Sequence, residues 1–96
     1  MVGSFATSKA GHDKQKLYVV LREEGEYVLL CDGRIRTLAK PKKKKKKHIQ
    51  IINRKVNEEL LHKLEQGQDG AQWAQEKIFD EEIKYEIRQY SKQVEL

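Results

Sequence analysis

The densest chemical feature of this 96-residue chain is a run of six lysines, Lys42, Lys43, Lys44, Lys45, Lys46 and Lys47, closed by His48. Lysine ammonium groups are point charges suited to phosphate oxygens, and each neutralised phosphate releases condensed counterions. Such a run gives affinity for a polyanion with little sequence preference, because phosphate contacts carry no base information. The plain alternative is a solvated loop that its own repulsion extends. A second basic cluster surrounds Gly11, with Lys9, His12, Lys14 and Lys16 close by in the chain. A turn that exposes amides and cations could clamp a sugar–phosphate backbone, with His12 stacking on an unpaired base. An ordinary polar turn is made from the same residues. Arg34 and Arg36 alternate with Ile35, so on a strand both project from one face. Their guanidinium forks suit phosphates and base planes, and equally suit neighbouring carboxylates such as Asp32 or Glu26.

Catalytic and metal chemistry find little support. His12, His48 and His62 are far apart, with no HExxH or CxxC spacing, and no glycine-rich phosphate loop of the nucleotide-binding type is present. The lone Cys31 has no activating neighbour and reads as a small buried hydrophobe. Paired carboxylates in the second half sit where helices begin, a structural role that accounts for them without catalysis. The expectation is a non-enzymatic chain without cofactor or metal.

These residues need elements to position them. GSFATSK at 3–9 ends at the turn signal Ala10-Gly11-His12-Asp13. LYVVL at 17–21 and YVLLC at 27–31 are β-branched and aromatic strands, punctuated by Glu23-Glu24-Gly25-Glu26. Asp32-Gly33 signals a hairpin leading into a further strand, RIRTL at 34–38. Pro41 and the lysines interrupt the pattern, and HIQII at 48–52 resumes it with Ile49 and Ile51 on one face. Several short strands with tight turns in about 50 residues describe a small β-barrel. Tyr18 and Tyr27 could be stacking platforms, but in so small a barrel they read better as core.

The period then changes. Asn57 caps a helix carrying Glu58, Glu59, Leu60, Leu61 and Leu64, which Gly67 closes. Asp80 repeats the device for a second helix with an apolar stripe of Ile83, Ile87, Tyr90 and Val94. Trp73 and Phe79 are expected to dock on the barrel. The chain thus divides into a basic barrel, 1–53, and a helical extension, 54–96. Residues 1–55 hold 15 Lys and Arg against 5 Asp and Glu, a net +10, whereas residues 56–96 hold 5 against 10, a net −5. A polyanion-facing surface therefore belongs to the first half, with the acidic tail apart from it. No apolar run suits a membrane span, no secretory leader is apparent, and one cysteine suits a reducing compartment, so the expected address is cytoplasmic.

The stretch GSFATSKAGHDKQKLYVVLREEGEYVLLCDG resembles a KOW motif, in which a strand reaches a glycine-containing basic turn and a second strand returns. Gly11 matches the motif glycine, and Leu17, Val19 and Val20 match the return strand. Gln15 lies where the family often carries a second glycine. With DGRIR and the lysines before HIQI, residues 2–53 are similar to the SH3-like barrel of the ribosomal "fourteen-e" class, large-subunit proteins with bacterial relatives that bind RNA. The resemblance implies a mainly β fold with C-terminal α, an SH3-like KOW barrel followed by two helices. It further implies contact with ribosomal RNA and the large ribosomal subunit through the Gly11 turn and the lysine loop. Two other readings stay open. One is a protein-interaction adaptor on transcription or translation machinery, working through Ile83, Ile87 and Tyr90. The other is a general nucleic-acid chaperone.

Overall fold

The computed structural model describes residues 1–9, 16–66 and 78–94. The apolar runs form strands β1 (Ser4–Ser8), β2 (Leu17–Glu24) and β3 (Tyr27–Cys31), followed by β4 (Lys42–Lys45) and β5 (Ile49–Lys55). They make one sheet in the order β4-β3-β2-β1-β5, with every pairing antiparallel. Gly25, at φ +61°, takes the left-handed turn position between β2 and β3.

The sheet curls without closing. Its two edges, β4 and β5, are joined by a single 3₁₀ turn, Lys46–His48. A flat sheet would separate those edges by about 19 Å, four strand spacings. The chain from Lys45 to Ile49 reaches at most about 14 Å, so the sheet must bend. Two irregularities help it: Leu21 is an extra residue in β2 against β3, and the β1–β5 register shifts between Ser4 and Ala6. Extra residues of this kind bend a strand and sharpen its twist.

Curling gives the sheet two buried faces. Ala6, Tyr18, Val20, Val28, Leu30 and Ile49 pack inside the curl, with Ile51 beside them. Phe5, Val19, Leu21 and Cys31 occupy the opposite face. Helices α1 (Glu58–Gln66) and α2 (Asp80–Val94) cover that face through Leu60, Leu64 and Ile83, with Ile78 just ahead of α2. Tyr90 of α2 stacks on Phe5 with ring centroids 4.7 Å apart and planes 17° apart. The mainly β fold with C-terminal helices is as expected from the sequence. Neither helix is long and apolar enough to cross a membrane.

Several local expectations change. Residues 34–38 form no strand; they belong to a bent connection between β3 and β4. The lysine run is no loop, because Lys42–Lys45 pair with Leu30 back to Tyr27 as an edge strand. Asn57 caps α1 as expected, its Oδ1 accepting the Leu60 amide at 2.8 Å. Asp80 does something else: its Oδ1 accepts the Leu38 amide at 2.8 Å, tying α2 to the β3–β4 connection. Capping passes instead to Phe79 and Glu82, where Glu82 Oε2 accepts the Phe79 amide at 2.9 Å and the Glu82 amide donates to the Phe79 carbonyl. Phe79 does not dock on the sheet. It is 59% exposed, and Ile78 is buried in its place. Ile83 is fully buried, Ile87 and Tyr90 pack on the core, and Val94 is exposed. Gly67 and Trp73 lie outside the described residues.

Candidate nucleic-acid interface

Strand geometry sorts the lysines of β4 to alternate sides. Lys43 and Lys45 flank Tyr27, their amines 4.9 Å and 6.0 Å from the ring centroid. Lys42 and Lys44 take the inner side, Lys42 with its amine 5.8 Å from the Tyr18 ring and Lys44 donating to Ser8 Oγ at 2.6 Å. Their methylene stems cover the rim of the inner core while the charged heads stay at its edge. Tyr18 is therefore core, as expected. Tyr27 is half-buried at the sheet edge, a cation-flanked ring rather than a core residue.

A strand of lysines would ordinarily repel itself, and β2 supplies the counter-charge. Glu24 Oε1 lies 3.7 Å from Lys43 Nζ, and Glu23 Oε1 lies 2.9 Å from Lys46 Nζ. The hydrogen bond from Lys46 holds the Glu23 carboxyl below its ordinary value. These pairs sit at the surface, where salt bridges add little stability and can be exchanged for a phosphate. Lys47 and His48 are exposed in the 3₁₀ turn.

Distant basic segments meet here. The Lys9 amide donates to the His48 carbonyl at 2.9 Å, so the last described residue of β1's extension adjoins the end of the lysine run. At the other end of the same connection, Lys16 Nζ stands 3.6 Å from Asp32 Oδ2. Gly11, His12 and Lys14 lie outside the described residues, but the two positions that flank them, Lys9 and Lys16, reach both of the other basic elements.

Arg34 and Arg36 do not share a strand face. Instead, buried Asp32 organises a tight bend: its Oδ1 accepts the Arg34 amide at 2.8 Å and the Arg36 amide at 3.0 Å. The Arg36 carbonyl accepts the amides of Asp32 and Gly33 in return. The bend projects Arg34, Ile35 and Arg36 into solvent, and Ile35 is 72% exposed. Asp32 thus engages the arginine backbones, while among the described residues neither guanidinium meets a carboxylate.

Cys31 is buried, and its thiol is pushed up to about 12, chiefly by burial. A thiol in that state is a poor nucleophile at neutral pH. Among the described residues no group of three or more His, Cys, Asp and Glu is placed to hold a metal ion. Sequence reading missed Glu23, Glu24 and Ser8 as the partners that let a lysine strand form. The signal was there in the acidic Glu23-Glu24 pair two strands away from a basic run. No protein-family model and no curated protein matches the chain.

Proposed function

We propose that this chain binds structured RNA without catalysis, through the phosphate backbone, as a ribosomal or ribosome-associated protein. One observation carries the reading: the Lys9–His48 hydrogen bond joins the basic segment 9–16 to the lysine strand and its turn. Lys9, where that segment begins, thereby adjoins His48, nearly 40 residues further along the chain. Electrostatics supplies most of the affinity, and the curled sheet supplies the positions. The exposed Arg34-Ile35-Arg36 tip adds guanidinium forks and an apolar side chain suited to an unstacked base.

The adaptor reading has a weaker footing. Ile83, Ile87 and Tyr90, the stripe it would use, face the sheet. Exposed Phe79 and Tyr85 would have to serve a protein partner instead.

Titration against a folded RNA tests the proposal. With roughly 5–8 phosphates engaged, log K is expected to fall against log salt with a slope of about −4 to −7. Sedimentation of a lysate through a low-salt gradient should carry the protein with large ribosomal subunits. A slope near zero, with the protein only at the top of the gradient, favours the adaptor.

A further inference from the structure

The net −5 of residues 56–96 suggests a tail that stands apart from any polyanion. Helix α2 contradicts that average by sorting its charges between faces. Three of its four acids are engaged elsewhere. Glu82 pairs with Lys63 of α1 at 3.2 Å, and Glu86 accepts the Asn57 amide and Nδ2 at 2.8 and 2.9 Å. Asp80 holds the Leu38 amide. Two of its three cations turn the other way. Lys84, Arg88 and Ser91, at i, i+4 and i+7, line one side of an open cleft whose other side is Lys16, Asp32 and Arg34.

That cleft holds four cationic side chains and one carboxylate. The carboxylate is Asp32, whose Oδ1 already accepts two backbone amides and whose Oδ2 faces Lys16. Arg34 and Arg88 are exposed, with no carboxylate partner among the described residues. Among the described residues the carboxylate beside Lys84 is Glu81, at a loose 4.0 Å. Leu17 and Ile87 give the cleft an apolar floor. The position is fixed by close packing: the backbone of Gly33 lies directly against Asp80 and Lys84 of α2.

We infer that α2 completes the RNA-binding surface, and that this cleft takes a stretch of sugar–phosphate backbone between Lys84 and Arg88 on one side and Lys16 and Arg34 on the other. The inference rests on the RNA-binding reading above and names where a second segment of the same RNA lies. An extended polyanion fits better than a single small anion. The cleft is open and lined by side-chain cations on both sides, Lys84 and Arg88 facing Lys16 and Arg34. Lys84 and Arg88 stand one helical turn apart, about 6 Å along the axis, so both can engage one strand.

The full chain is tested by fluorescence anisotropy on a labelled, folded RNA hairpin over a salt series. The variants are K84Q/R88Q, R88Q alone, and H62Q on α1 as a control, since His62 is exposed and outside both basic surfaces. The double variant is expected to weaken binding and to reduce the magnitude of the salt slope by about 1.4–1.8, with R88Q giving half of that. H62Q should match wild type. Because Lys84 packs near Gly33, melting curves accompany each variant, and R88Q decides the matter if the double variant melts early. Wild-type binding with the usual slope, matched by an unchanged slope in R88Q and K84Q/R88Q, overturns the cleft and leaves RNA binding intact. Wild type that shows no salt-dependent binding overturns the RNA-binding reading, and the cleft with it.

Discussion

Gly33 sits at φ +79°, where an L side chain is strained, and an added Cβ would lie 2.5 Å from the Asp80 carbonyl oxygen. That oxygen is backbone in the first turn of α2 and cannot swing aside. Gly33→Ala should therefore cost on the order of 1–3 kcal/mol from backbone strain alone, and more from pushing α2 away. The expected readout is a lower Tm together with altered amide shifts at Leu38, whose hydrogen bond to Asp80 spans the same joint. Melting at the wild-type temperature would show that the joint yields easily. Next door, Cys31 makes a prediction about pH. Its thiol titrates at about 12 when folded, against 9.0 as the ordinary value. The folded state keeps the proton that the unfolded state releases above pH 9. This group's contribution is therefore full below pH 9 and is lost as pH rises toward 12. Denaturant midpoints should fall over that window, and less so in Cys31→Ala once its own cavity cost is subtracted. A thiol reagent at pH 7 should label Cys31 only on unfolding.

Elements were legible in the sequence where side-chain pattern alone decides them. LYVVL and YVLLC carry branched and aromatic residues that suit a buried strand, and both are strands. Asn57 announced α1 because an N-cap acts locally. The errors arose where long-range partners decide. RIRTL alternates like a strand, yet the Asp32 carboxylate captures the Arg34 and Arg36 amides and bends the segment. Lys42–Lys45 looks too charged for a strand. The free edge of β3, the Tyr27 ring and the Glu23–Glu24 pair, none of them local, make it one. The candidate site follows suit: its cations could be named from sequence, whereas their joining through Lys9 and His48 could not. The strand's alternation predicts that its lysines are separable. K43Q/K45Q/K47Q removes outward charge, so it should shrink the salt slope by about 0.7–0.9 for each phosphate that is no longer neutralised, with little change in Tm. Lys44→Gln removes the bond to Ser8 at the inner rim and should cost about 0.5–1.5 kcal/mol, with a smaller effect on RNA. Equal slopes for the two variants would mean that β4 does not present its lysines by side.

At the scale of the whole molecule, the division into a basic barrel of 1–53 and an acidic extension meets a core that ignores it. Strand β5 runs on to Lys55, and Phe5, Val19, Leu21 and Cys31 of the sheet are buried against Val56, Leu60, Leu64, Ile78 and Ile83. The curl of the sheet encloses only its inner face. Four helix-side aliphatic residues, Leu60, Leu64, Ile78 and Ile83, each contribute about 1.5–3 kcal/mol on burial. Their sum is comparable with the roughly 5–15 kcal/mol that holds a domain together. A chain cut after Asn53 should therefore keep every residue of the lysine strand and still fail to fold cooperatively. It would expose Phe5, Val19 and Leu21, show no sharp thermal transition, and bind RNA only as an unstructured polycation, with no preference between the folded RNA and a scrambled sequence. The intact chain carrying Leu64→Ala tests the same coupling more gently. Leu64 is fully buried, so a loss of about 2–5 kcal/mol is expected, with RNA affinity retained below the lowered Tm. If residues 1–53 alone gave a dispersed amide spectrum, a cooperative melt and wild-type discrimination, the helices would be an accessory. The shared core argues that they are a structural half of the fold.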